Sequence, residues 1–241
     1  LINTFTKDIG ELHPWSTWPS VHRGVYNDMH KIRSINQDLS FSKKYAPIWE
    51  ILNKNNIDIG IFGSLQSYPP LTGKNIKFYL PHTFAPNPKA HPEALRQFQE
   101  FNLKMSSENK AISRKISIVD IFNFSKLIKS GVISKRTAYL TALHIIKEKF
   151  NKKYKTRRAT IQNVLTFDIY FKYLTKFKPS FSTYFTNHLA GMMHRYWQDL
   201  FPMDFNNKKE VDPFHSSSII KAMHLADKNL EKLIRFSKEN N

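Results

Sequence analysis

The chain has 241 residues and is 41% hydrophobic, with 19 Phe, 10 Tyr and 4 Trp, enough for one large α/β domain or two small ones around a buried core. It has no Cys, which excludes a disulfide framework and a thiolate metal site. The formal charge of +18 favours an anionic partner, and no apolar run approaches the ~20 residues of a membrane span.

Leu1 is not an initiator Met, and no signal-like basic segment precedes an apolar run. A longer parent protein is expected, with a further element after the helical pattern that ends the chain. The expected compartment is the cytoplasm.

Residues 1–12 mix apolar and polar side chains, with Gly10 as a break. Residues 13–25 are the densest in chemistry. They hold His13, Ser16, Thr17, Ser20, His22 and Arg23 beside Trp15 and Trp18. A core segment has little use for so many polar groups, because each needs a partner. The run therefore reads as a loop. Asn27 and Asp28 signal a turn, and residues 36–38 read as loop. Pro47 opens a helix with Ile48, Trp49, Ile51 and Leu52 on its apolar face. Residues 57–63 read as a strand and 64–70 as the loop after it, a helix–strand step of an α/β sheet.

A second strand is expected at 76–80, followed by an irregular Pro-rich loop at 81–86. Residues 93–101, 116–128, 135–150 and 157–177 carry apolar residues at three- and four-residue spacing and read as helices. A third strand is expected at 181–186, a loop at 200–213 and an amphipathic helix at 216–236. The expected organisation is an α/β core begun by 1–70, a largely helical cap at 71–178, and a return to the core at 179–241.

Residues 147–158 are the densest basic run, with Lys147, Lys149, Lys152, Lys153, Lys155, Arg157 and Arg158. The nearby aromatics fall at helical core spacing, so a solvated face is the simpler reading and nucleic acid is not the expected partner. The chain has no Gly-x-Gly-x-x-Gly and no Gly-Lys-Ser/Thr, hence no dinucleotide or P-loop fingerprint.

Two clusters could carry chemistry. The first is the Thr17 segment. The second, from Asn187 to Trp197, holds His188, His194, Arg195 and two aromatics just after a strand, where α/β sheets collect ligands. A Thr hydroxyl is a weak nucleophile unless a base or a metal activates it. Without Cys, metal binding would rest on His, Asp, Glu and the Thr oxygen. His22, His30, His188 and His194 are the imidazole candidates, and Arg23 and Arg195 could neutralise an anion. The competing reading makes Thr17 a helix cap and the Trp and Pro residues packing. His82, His91, His144, His215 and His224 read as structural or surface residues.

Thr17-Trp18-Pro19-Ser20 followed by His30-Lys31-Ile32 resembles the nucleophile segment of the type I phosphodiesterase/nucleotide pyrophosphatase family, within the alkaline phosphatase superfamily. That motif reads Thr-Phe-Pro-Asn, then a helix, then His-Gly-Ile. Further resemblances follow in order: Asn36, residues 46–50, residues 59–64, the segment from Thr183 to Trp197 and residues 222–230. The resemblance implies an alkaline-phosphatase-like sheet flanked by helices. It makes Thr17 a metal-bound nucleophile toward a phosphoryl or sulfuryl group. Ser20, Arg23 and Asn36 become substrate contacts, and His194, with His188, becomes a ligand to one of two divalent metals, usually zinc. The implied substrate is an anionic small-molecule or glycan phosphate or sulfate ester.

The departures are specific. Ala190 stands where an Asp-x-x-x-His ligand pair needs its Asp, and Lys31 replaces a Gly. Asp8, the nearest acid, lies close to Thr17 in sequence. The family's first metal Asp would precede this chain and its Ser-Asp-His-Gly strand would follow it. Three functions are therefore carried forward: a metal-dependent hydrolase or transferase of phosphate or sulfate esters; a catalytically degenerate relative serving surface-polysaccharide biosynthesis; and a basic nucleic-acid binder.

Overall fold

The computed structural model describes residues 6–10, 12–35, 37–106, 117–207 and 210–240. The chain is a mixed α/β protein. Its elements are α1 (Pro14–Arg23), α2 (Asn27–His30), α3 (Ile48–Lys54), β1 (Ile59–Phe62), β2 (Ile76–Leu80), α4 (Glu93–Ser106), α5 (Ile118–Lys129), α6 (Lys135–Phe150), α7 (Arg158–Phe177), β3 (Phe181–Tyr184), α8 (His188–Leu200) and α9 (Pro213–Asn240). A 3-10 stretch, Lys152–Arg157, joins α6 to α7.

Two compact units result. One comprises residues 1–107 with 177–185, and the other comprises 108–176 with 186–241. This differs from the division at 70/71 and 178/179. Residues 71–107 stay with the sheet because β2 pairs with β1 and α4 packs on β2. After β3 the chain leaves the sheet unit again, because α8 and α9 pack on each other around Met192, Ile219 and Ala222.

The sheet is parallel, in the order β2-β1-β3. Successive β1 residues point to opposite faces. Ile59 and Ile61 pack with Trp49 of α3, Ile76 and Tyr79. Phe62 stacks on Phe98 of α4, with ring centroids 6.4 Å apart. A strand covered on both faces is apolar throughout, which is why residues 59–62 lack a polar alternation. Gly60 is required by close approach. A Cβ there would stand 2.3 Å from the Phe78 ring.

The segment expected to be a loop is a helix. Pro14 occupies the first helical turn of α1, where its missing N–H is no loss. The N–H groups of Ser16 and Thr17 both donate to the His13 carbonyl, each at 3.0 Å. Pro19 lies inside the helix and is buried. Gly24, at φ 65°, ends α1 and donates to the Ser20 carbonyl at 2.9 Å.

Among the described residues no helix is long and apolar enough to cross a membrane.

Gly60→Ala should destabilise the protein by about 1–3 kcal/mol, because the Phe78 ring must move or the strands must part. A urea melt reads this as a lower midpoint. An unchanged midpoint contradicts the close packing of Phe78 on Gly60.

Candidate functional site

Parallel pairing brings the carboxyl ends of all three strands to one edge, the usual place for ligands in such sheets. Gly63, at φ 75°, turns the chain out of β1 and donates to the Leu80 carbonyl at 2.8 Å. Ser64 follows, and its Oγ lies 2.7 Å from Thr183 Oγ1 on β3. The Ser67 carbonyl accepts from the Tyr79 hydroxyl at 2.8 Å. His82 emerges after β2, and Phe185 after β3.

Helix α1 lies against these strand ends. Trp18 meets Phe185 edge-on with centroids 5.2 Å apart, and Trp15 meets Phe84 edge-on at 5.1 Å. His22 packs between Trp18 and Trp49, at 5.7 and 4.8 Å. Beside Phe84 lies an open depression of 380 Å³, lined in part by Ile35, Pro86, Leu103 and Lys104.

Thr17 sits one turn into α1, partly accessible. Its hydroxyl donates to the His13 carbonyl at 3.0 Å. It is therefore not a cap in the usual sense, since a cap oxygen accepts from a helix N–H. The backbone carbonyl cannot take its proton, so activation needs another group.

Ser20, one turn further on, is committed elsewhere. The Ile32 N–H donates to His30 Nδ1 at 3.0 Å, which assigns the ring proton to Nε2. Nε2 then donates to Ser20 Oγ at 3.0 Å, and the Ser20 hydroxyl donates to the Asp8 carboxylate at 2.8 and 2.9 Å. This runs opposite to a nucleophile–base pair, in which the imidazole must accept. Ser20, His30 and Asp8 thus form a structural chain, and the substrate contact expected of Ser20 is not what this geometry offers. Asp8 also accepts from the Asn27 N–H at 2.8 Å. The Asn27 side chain pairs with both backbone groups of Ile9, at 3.0 and 2.9 Å. The segment before α1 is thereby tied to α2.

Arg23 is half-buried, and its Nη1 donates to the Tyr45 carbonyl. Burial pulls its pKa down, against the opposing pull of Glu50. Burial, with Arg23 second, lowers His22 to about 4, and its Nδ1 lacks a hydrogen-bond partner. Burial alone lowers His82 to about 4. Burial also lowers His30, with Arg23 adding to the effect and Asp8 opposing it. All three imidazoles are neutral at pH 7.

The second histidine cluster belongs to the other unit. His188 is buried, with both ring nitrogens engaged. Nε2 faces the Ala222 carbonyl at 3.2 Å, so it carries the proton, and Nδ1 accepts from the Thr186 hydroxyl at 2.9 Å. Thr186 in turn accepts from Asn163 Nδ2 at 2.9 Å, and Asn163 Oδ1 accepts from Asn229 at 2.8 Å. In this structure both ring nitrogens of His188, the expected metal ligand, are engaged by protein groups. His194 is exposed on α8, one turn beyond Ala190. Asn36 lies outside the described residues. Among the described residues no three His, Asp or Glu side chains gather as a metal site requires. The donors among the described residues do not make up a two-metal centre.

No protein-family model, curated protein or solved structure matches this chain. The reading of the site rests on its geometry and on the motif resemblance.

Sequence reasoning passed over Asp8 and His82. Asp8 lies only nine residues before Thr17 in sequence. Its partner is Ser20, one turn beyond Thr17 on α1, reached only because the segment before the helix folds back. His82 follows the expected strand at 76–80 directly, so the strand-end rule alone marked it.

Stability should track the two depressed histidines. The unfolded chain binds protons near pH 6.5 and the folded chain only near 4, so stability is full above pH 6.5 and is lost as the pH falls toward 4. His82, 3% exposed, contributes about 3 kcal/mol of this loss. Denaturant melts across pH 4–7 should show the slope, and His82→Gln should flatten it. An equal slope in the variant contradicts burial as the cause.

Proposed function

We propose that this chain acts on a phosphate or sulfate ester at the carboxyl edge of an alkaline-phosphatase-like sheet, with Thr17 as the hydroxyl that takes the transferred group. One observation carries the reading. Thr17 stands on the first turns of a helix whose two tryptophans, Trp15 and Trp18, meet Phe84 and Phe185 at the ends of a parallel sheet. The helix dipole there favours negative charge on an attacking oxygen or a bound anion.

The backbone at Lys31 adds support. Lys31 closes α2 at φ 55°, a left-handed conformation that suits Gly. The resembling motif has Gly at this point. The sequence departs from the motif while the backbone keeps the conformation that explains it.

In the displacement, Thr17 Oγ1 would form the new bond to phosphorus or sulfur as the bond to the ester oxygen breaks, and the Thr17 proton would pass to that departing oxygen. Arg23 is the nearest cation on the same helix, one and a half turns away, and is held at Tyr45. Its role is charge balance for the helix end. Trp15 and Trp18 anchor the helix on the sheet side through edge-on contacts with Phe84 and Phe185. Two divalent ions, as the family implies, have no matching donor set among the described residues, so the account of Thr17 stands on helix placement alone.

A second reading has its own observation. His188 has both nitrogens engaged and Ala190 replaces a carboxylate, which favours a degenerate relative that binds such esters, or a surface-glycan precursor, without metal catalysis. The two separate on metal content: stoichiometric zinc in the purified protein supports the hydrolase or transferase.

Thr17→Ala should abolish turnover of a nitrophenyl phosphodiester or sulfate ester assayed with zinc or manganese, with a loss of at least roughly a hundredfold, while Thr17→Ser keeps part of it. Full activity in Thr17→Ala ends the role of Thr17.

A further inference from the structure

The basic run at 147–158 resolves into pairs and a remainder. Arg158 is held by Glu148, with Nη2 to Oε2 at 2.6 Å. Lys153 pairs with Asp212 at 2.8 Å. Arg157 is different. It is 7% exposed and has no carboxylate partner among the described residues. Its Nε donates to Ser218 at 2.8 Å, and its Nη2 donates to Ser217 at 2.8 Å and to the Phe214 carbonyl at 3.3 Å. The guanidinium lies 3.8 Å over the Phe214 ring and 5.4 Å from the Tyr154 ring. Nη1 makes no hydrogen bond to the described residues.

Two lysines join it. Lys147 Nζ stands 5.8 Å from the centroid of the same Tyr154 ring. Lys221 lies one turn beyond Ser217 and Ser218 on α9. Burial lowers its pKa, and the charges of Arg157 and Lys147 lower it further, with no acid opposing them. Three cations thus share one place without a counter-charge, around a guanidinium that is already desolvated. A buried, unpaired cation is costly, and that cost remains until an anion arrives. The planar guanidinium matches phosphate and sulfate oxygens, and fixing it in advance removes the ordering cost on binding.

We propose that Arg157, Lys147 and Lys221 form a binding site for one phosphate or sulfate group in the second unit, with Arg157 as the fixed donor and the two lysines as its rim. Serine hydroxyls hold the fork from behind. Ser217 and Ser218 donate their own protons to the Phe214 carbonyl, at 2.9 and 2.6 Å, and so present lone pairs to Arg157. The free Nη1 edge is left for the ligand. The site shares no residue with the Thr17 region and does not rest on that reading.

The test titrates inorganic phosphate into the protein by calorimetry at constant ionic strength, with chloride as the balancing salt. Saturable binding is expected. Lys147→Ala/Lys221→Ala, at exposed positions, should weaken it at least tenfold without lowering the melting temperature in phosphate-free buffer. Arg157→Lys keeps the charge but loses the fork, and should also weaken it. Thr17→Ala should bind as the wild type does. A parallel titration with glucose 1-phosphate assigns the source: tighter binding points to an ester-borne group, and equal binding to the free anion. Equal affinity in the wild type and the double lysine variant overturns the proposal. So does binding of a short oligonucleotide with no saturable phosphate binding, which would mark a diffuse polyanion surface.

Discussion

The Phe78 ring occupies the space that a side chain at residue 60 would need, and the sheet unit depends on that exchange. With Gly60 bare, β2 closes on β1 and the three strands run parallel, the β1–β2 register shifting by one residue between Ile59 and Gly60. Parallel register sends Gly63, Pro81 and Phe185 out at the same edge. Each later feature of the unit uses that edge. Ser64 reaches Thr183, the Tyr79 hydroxyl reaches the Ser67 carbonyl, and α1 finds Phe84 and Phe185 for its two tryptophans. The Asp8–Ser20–His30 chain then fixes α1 from its other side. A hydroxyl on the first turns of α1 is positioned by packing and by hydrogen bonding together.

The two units handle buried polarity in one manner. Each places a histidine whose two nitrogens have separate duties. His30 accepts from a backbone N–H and donates to Ser20, whereas His188 accepts from Thr186 and donates to Ala222. Fully satisfied chains of this kind rigidify their surroundings. They also withdraw those imidazoles from metal binding and from proton transfer. Arg157 departs from the pattern, since among the described residues no acceptor meets one edge of its guanidinium.

Much of the fold was legible. The strands expected at 57–63, 76–80 and 181–186 lie at 59–62, 76–80 and 181–184, because β-branched and aromatic runs bounded by Gly, Pro and Asn leave few other choices. The helix expected at 135–150 runs over those residues. The start of α9 was placed too late. Asp212 accepts from the Phe214 N–H at 2.9 Å and Pro213 opens the helix, a cap signal present in the sequence. Helix α1 was read as a loop because its polar residues and Pro19 outweighed the spacing of Trp15, Trp18, Pro19 and His22. The site was less legible. Thr17, Ser20 and Arg23 do share one helix. The contact of Ser20 with Asp8 depends on a segment twelve residues before it folding back. The commitment of His188 depends on a carbonyl of a helix 34 residues away. No local pattern encodes such contacts.

The proposed role of Thr17 is that of the hydroxyl that takes the transferred group. Its most direct test is to quench the protein during turnover of a nitrophenyl phosphate ester and to map the modified peptide by mass spectrometry. The account predicts one phosphoryl group on Thr17. Turnover with the label on Ser16 or Ser20, or with no covalent label on this helix, would contradict it.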